Sequence, residues 1–197
     1  MMKNLTLIFF IFSLLSYSQN NFTSARSIEI SENNYEEQLR SSIVKNIELT
    51  NIGPSVMSGR VTDLEVNPNN PTEFYVAYAS GGLWHTKNNG TTFSPIMDNS
   101  MTQNIGDFAI DWKSNSIYVG TGESNSSRSS YPGIGILKSN DNGSTWTNIG
   151  LRDSHHISRV LVNPNNENHI VVAVIGHLYT KNTQRGIFTS FDNGKTW

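Results

Sequence analysis

Short runs of alternating apolar and polar residues follow one another along most of this chain, and they recur in threes. The stretch Val61-Thr62-Asp63-Leu64-Glu65-Val66-Asn67-Pro68 lines up with Ile105-Gly106-Asp107-Phe108-Ala109-Ile110-Asp111-Trp112 and with Ile157-Ser158-Arg159-Val160-Leu161-Val162-Asn163-Pro164. Runs of this kind, about four to eight residues long and bounded by turn formers, predict three first strands. Glu73 to Ala79, Ser116 to Gly122 and Ile170 to Ile175 are rich in Tyr, Val and Ile and predict three second strands. Leu83 to Thr86, Gly135 to Lys138 and Gly186 to Thr189 predict third strands, each leading into a polar turn after which a fourth strand begins. Four antiparallel strands per repeat predict a β-propeller blade, so the fold class is all-β, with two complete blades and most of a third.

The polar turns are nearly copies of one another. Thr86-Lys87-Asn88-Asn89-Gly90-Thr91-Thr92-Phe93 returns as Ser139-Asn140-Asp141-Asn142-Gly143-Ser144-Thr145-Trp146 and as Ser190-Phe191-Asp192-Asn193-Gly194-Lys195-Thr196-Trp197, with starts 53 and 51 residues apart. A period near fifty residues marks a radially repeated β fold. Gly90, Gly143 and Gly194 supply the positive φ of a tight hairpin, and the Asn before each tolerates it. Asn88, Asp141 and Asp192 are placed to accept backbone N–H bonds across the turn. Phe93, Trp146 and Trp197 bring a large apolar body to pack beneath it.

These residues resemble the Asp box, or BNR repeat, of pattern Ser-x-Asp-x-Gly-x-Thr-Trp. The second and third copies fit it fully, and the first departs at Thr86, Asn88 and Phe93. Gly53-Pro54, Ser58-Gly59-Arg60-Val61, Ser80-Gly81-Gly82-Leu83-Trp84, Gly120-Thr121-Gly122-Glu123-Ser124 and Gly176-His177-Leu178 are similar to secreted bacterial repeat proteins related to the sortilin-type propeller. Such proteins are often labelled glycosyl hydrolases for their BNR repeats. The resemblance spans residues 52–197 and implies a fold more firmly than an activity.

At the other end, Lys3, the apolar run Leu5 to Leu15 and Ser16-Tyr17-Ser18 read as a signal peptide over residues 1–18, too short for a confident membrane span. Export follows as an expectation, to the periplasm, the cell surface or the medium. The chain holds no Cys, so neither a lipid anchor on cysteine nor a disulfide framework is expected. A net charge of −2 and the lack of a basic stripe argue against nucleic acid as a partner. Residues 19–51 form a leader, with either a short helix around Tyr35 to Val44 or a strand that would help close the ring. Because the chain stops inside the third turn repeat, it reads as a piece of a longer propeller. The other reading is a ring completed by several copies. By itself the piece is an open arc, with apolar faces and strand edges exposed.

Blade geometry divides the loops between two faces. The repeated turns and the Asn67-Pro68 and Asn163-Pro164 turns share one face, and the turns read as structural. The opposite face carries the longer loops and, with them, the ligand-binding candidates Arg60, Trp84, Arg128, Tyr131, His156, Arg159, His177 and Arg185. A glycosidase needs two carboxylates about 5–10 Å apart, and Asp63, Asp107 and Glu123 are the candidates. Their plainer reading is structural: Asp107 pairs with Arg159, which holds the equivalent place in the third repeat, and Asp63 pairs with Arg60. Trp84 and Trp112 have two readings as well, stacking on a sugar or packing between blades.

Xyloglucan-active propeller hydrolases, which Gly81-Gly82-Leu83-Trp84 resembles, carry a catalytic Asp where Ala79 stands here. Sialidases share the box but need an Arg triad with an Arg-Ile-Pro motif, which this chain lacks. His155 and His156 are adjacent and so point apart, and His177 lies a blade's depth away, so no metal site and no cofactor are expected. Two functions remain: a scaffold whose loop face binds a protein, peptide or glycan, or a polysaccharide-acting hydrolase with part of its machinery in further blades.

Overall fold

The computed structural model describes residues 23–47, 59–125 and 130–197. The expected signal peptide, Gly53, Pro54, Ser58 and Arg128 lie outside them. Among the described residues, eleven strands fall into three antiparallel sheets. The first runs β1 (Val61–Val66), β2 (Phe74–Tyr78), β3 (Gly82–Thr86), β4 (Ser94–Pro95), in that spatial order. The second runs β5 (Ile105–Asp111), β6 (Ser116–Thr121), β7 (Ile136–Ser139), β8 (Thr147–Asn148) in the same way. The third holds β9 (Ile157–Asn163), β10 (Asn166–Val174) and β11 (Gly186–Ser190). Each sheet is a meander of neighbouring strands, the build of a propeller blade, and the strands fall on the expected runs, except that β10 starts at Asn166, inside the expected turn and ahead of the expected Ile170.

All three turns close by the same local hydrogen bonds. In the second copy Ser139 Oγ donates to Asp141 Oδ1 at 2.8 Å and accepts from Gly143 N at 2.8 Å, while Asp141 Oδ1 also accepts from Thr145 N at 2.9 Å and Oδ2 from Thr145 Oγ1 at 2.6 Å. The third copy repeats the set through Ser190, Asp192, Gly194 and Thr196, with distances between 2.6 and 2.8 Å. In the first copy Thr86 and Asn88 keep the pattern, and the amide nitrogen of Asn88 donates to Thr92 Oγ1 at 2.9 Å where the carboxylates accept. The departures are therefore chemically conservative. Bonds from Thr196, first its hydroxyl and then its backbone N–H, with Ser190 behind them, bring Asp192 down to about 2. The Asn-Gly pairs take φ of 55° and 80°, 56° and 86°, and 61° and 84°, the double positive φ of a primed hairpin turn.

The tryptophans that end the turns do more than pad their own hairpins. Trp146 Nε1 donates to Ile96 O of the preceding blade at 3.1 Å, and Trp197 Nε1 donates to Ile149 O at 2.8 Å. Each thus fastens one blade to the next. Phe93, with no N–H, stays on its own blade edge-on to Phe74, at a centroid distance of 5.8 Å. Between the first and second blades lies a core of Tyr75, Leu83, Met97, Ile105, Phe108, Val119 and Leu137. Tyr118, Ile136, Ile157, Val160, Ile170 and Val172 fill the space between the second and third. Apolar residues at the outer flanks, Leu64 and Val66 on one side and Leu161 and Ile187 on the other, are exposed. They mark the faces against which further blades would pack in a propeller.

The leader holds a helix, α1 (Ala25–Ser41), longer and earlier than the expected span of Tyr35 to Val44. It starts there because Ser24 caps it, its side chain accepting from Ser27 N. Ile43, Val44 and Ile47 lie past the helix end and are exposed. No residue of α1 is buried. Polar contacts dock it instead: Arg152 Nη1 to Glu32 Oε2 at 2.7 Å, and Ala25 N to Asp153 Oδ1 at 3.0 Å. No helix among the described residues is long and apolar enough to cross a membrane.

Candidate functional site

The inner strands of the three blades carry the same irregularity at the same place. Pairing passes from Val61↔Tyr78 to Asp63↔Ala77, from Ile105↔Thr121 to Asp107↔Gly120, and from Ile157↔Val174 to Arg159↔Ala173, skipping Thr62, Gly106 and Ser158 in turn. A bulge of this kind re-aims the side chain beside it. Here it gathers Asp63, Asp107 and Arg159, one from each blade. Arg159 Nη1 lies 3.2 Å from Asp107 Oδ1 and 4.0 Å from Asp63 Oδ1, and Val160 N donates to Asp107 Oδ2 at 2.7 Å. The expected Asp107–Arg159 pair is present. The expected Asp63–Arg60 pair is not: Asp63 turns toward Arg159, and Arg60 belongs to Glu123.

Burial pushes the Asp107 carboxyl up to about 7, with Asp63 adding to the rise and Val160 N and Arg159 opposing it. Asp63 Oδ2 is buried and has no hydrogen-bond partner among the described residues. Glu65, two positions on from Asp63, is also raised, by burial first and by the Asp63 charge second. A proton held by this group of carboxylates relieves their mutual repulsion.

A carboxyl near 3.8 when unfolded and near 7 when folded makes the folded chain bind more protons between about pH 4 and 7, so stability falls as pH rises through that window. His85, His155 and His156, lowered chiefly by burial, contribute the opposite slope toward pH 6.5. The informative quantity is therefore the difference between Asp107→Asn and wild type. The variant should gain relative stability from pH 5 to pH 8, by about 2.6 kcal/mol at most. Urea denaturation at the two pH values measures it, and a pH-independent difference would remove Asp107 as the titrating group.

Glu123 ends up in a different setting. It is 1% exposed and held by Arg60, whose Nε lies 2.7 Å from Oε1 and whose Nη2 binds Oε2. Asn125 Nδ2 at 3.0 Å and Ser130 Oγ at 3.1 Å complete the shell. Burial alone would raise its pKa, but the bonds from Arg60 and Ser130, the Arg60 charge and Asn125 outweigh it and hold the carboxylate below its usual range. His156 Nδ1 donates to Glu123 O at 2.7 Å. Arg60 and Glu123 thus form an ion pair whose carboxylate is buried and whose guanidinium is partly exposed, with buried His156 fastened to the Glu123 backbone.

The remaining candidates are spread out. Tyr131 is 54% exposed and Tyr179 76%. Arg185 Nε donates to Ile175 O at 2.8 Å and, with Leu178, Tyr179, Lys181 and Asn182, borders an open cavity of about 440 Å³. Trp84 is half-buried, its Nε1 donating to Gly81 O at 2.8 Å. Trp112 packs against Tyr75 at 5.7 Å, between blades, as one of its two readings held. His177 stacks on His155 with ring centroids 3.8 Å apart. His155 and His156 do point apart, but the chain separation that set His177 aside is bridged by the fold. The bulge-driven convergence was within reach of the sequence, since 63, 107 and 159 align. No comparable signal marked His155 and His177.

No family model matches the chain, nor does any curated protein. Among solved structures it is similar to an ancestral GH74 enzyme, with a TM-score of 0.52 and 18% identity over 70% of this chain and 18% of that one. It is also similar to the GH74 enzyme of Niastella koreensis, with a TM-score of 0.41 and 20% identity over 68% and 28% of the two chains. A third likeness is to YCF48 bound to D1 peptide, with a TM-score of 0.48 and 14% identity over 71% and 40%. At these identities the likeness is one of fold, the β-propeller. The chain spans less than a fifth of the length of the ancestral enzyme.

Proposed function

We propose that this chain is an exported Asp-box propeller of the sortilin-like kind, acting as a scaffold whose loop face binds a protein, peptide or carbohydrate. The observation that carries this reading is the fate of the carboxylates. Glu123 is buried and tied to Arg60, and Asp107, 3% exposed, has its two oxygens taken up by Arg159 and the backbone of Val160. Neither is presented to a glycosidic bond. Ala79, where the resemblance to xyloglucan-active hydrolases implies a catalytic Asp, is 4% exposed and has no acid to offer. The open cavity bordered by Tyr179 and Arg185, by contrast, combines an exposed aromatic ring with a cation, a pairing that suits peptide or glycan contact.

A hydrolase reading has one observation in its favour. Asp107, pushed to about 7, holds a proton near neutrality as a general acid must, and Asp63 lies close by. The two readings separate in one experiment. The full-length protein is incubated with a panel of plant, host and bacterial glycans, scored for reducing ends, and screened in parallel on glycan and peptide arrays. The expected result is no release, together with binding that weakens at least about tenfold in Tyr179→Ala. Release that disappears in Asp107→Asn would replace the scaffold with a glycosidase.

A further inference from the structure

We propose that Asp153, His155 and His177 form a binding site for a divalent transition-metal cation of the zinc class, clasping the N-terminal segment to the second and third blades. Each residue offers one ligand atom, and these atoms lie within 4.8 Å of one another. Two imidazoles and a carboxylate are a donor set suited to such a cation, with a further position left for water or a ligand. The residues come from two separate segments, the connection leading into β9 and the loop between β10 and β11, so their meeting is a product of the fold and not of local chain geometry.

The surroundings orient the donors. His155 Nε2 lies 3.1 Å from Thr23 O, which can only accept, so that nitrogen carries the proton and Nδ1 is left with its lone pair. A ligating histidine whose other nitrogen donates to a backbone carbonyl is the usual outer-shell arrangement at metal sites. Asp153 Oδ1 accepts from Ala25 N at 3.0 Å, which leaves Oδ2 for coordination. His155 and His177 are each 8% exposed, so the two rings are sheltered from bulk water. A tetrahedral cation with bonds of about 2.1 Å draws its ligands to roughly 3.4 Å apart, so the ligand atoms, within 4.8 Å of one another, would close by at most about 1.4 Å.

The test uses the full chain, stripped of metal by a chelator and titrated with Co²⁺ while the visible d–d absorption is followed, then with Zn²⁺ in competition. One Co²⁺ per chain is expected, with an intense low-coordinate band that Zn²⁺ abolishes. His155→Gln and His177→Gln should each weaken Co²⁺ binding by about 100-fold or more, and Asp153→Asn by about 10-fold or more. His169→Gln, which removes a histidine bonded to Asn163 outside the site, should leave binding unchanged. Should both imidazole variants fail to fold by circular dichroism, Asp153→Asn decides the matter. Absence of Co²⁺ uptake by the wild-type chain, or uptake indifferent to Asp153→Asn, overturns the proposal.

Discussion

Gly106→Ser should destabilise the chain by about 3 kcal/mol or more, although both aligned repeats carry a hydroxyl residue there, Thr62 and Ser158. At those two positions the hydroxyl reaches a carbonyl of the partner strand, Thr62 Oγ1 to Ala77 O at 3.4 Å and Ser158 Oγ to Ala173 O at 3.1 Å. Repeat logic therefore recommends Ser at 106. Tertiary contact forbids it, because a Cβ built on Gly106 would lie 1.8 Å from Ile157 O and 2.5 Å from Gly122 O. Both are backbone atoms, and Ile157 N also donates to Gly122 O across the blade junction at 3.2 Å. No side chain can step aside, so the inner strands must separate and the bulge that aims Asp107 must distort. Urea denaturation measures the loss. A variant within about 0.5 kcal/mol of wild type would mean that the second and third blades are not in this contact.

Trp146→Ala is expected to cost about 3 kcal/mol, the lower range for losing a large aromatic, since the indole is only partly buried. Two contributions add. The ring packs against the core between the first two blades, and its Nε1 holds Ile96 O. Trp146→Phe keeps much of the first and loses the second, so it should cost about 1 kcal/mol. Phe93→Ala should cost less than Trp146→Ala, because Phe93 has no N–H and contacts its own blade through Phe74. The order Trp146→Ala, then Phe93→Ala, then a surface change such as Tyr131→Ala is what chemical denaturation should return. If Trp146→Ala were no worse than Tyr131→Ala, the clamp between blades would be disproved.

The candidate site was only partly visible in advance. The alignment of Asp63, Asp107 and Arg159 was sufficient to expect a pair between Asp107 and Arg159, because both sit at one level of a radial repeat. It was not sufficient for Asp63. Arg60 is three residues away, and proximity in the chain made it the natural partner. Instead Arg60 precedes β1 and reaches Glu123 at the end of β6, a choice set by how the first two blades abut. Helix α1 shows a similar limit. Its start depends on the Ser24 cap, but its docking depends on Arg152 and Asp153, more than a hundred residues further on.

The repeated turns and the strands between them were legible from residues alone, because the bonds that make them close within a few positions. Ser139 meets Asp141 and Gly143, and Asp141 meets Thr145, whatever the rest of the chain does. Alternation likewise marks a strand wherever one face of it is buried. The meeting of His155 with His177, the bridging of two carboxylates by Arg159, and the need for glycine at 106 depend on how blades about fifty residues apart are rotated and pressed together. Backbone hydrogen bonding within a blade is local and repeats with the sequence. Side-chain direction at a blade junction is set by bulges and close packing that each pair of neighbours resolves in its own way.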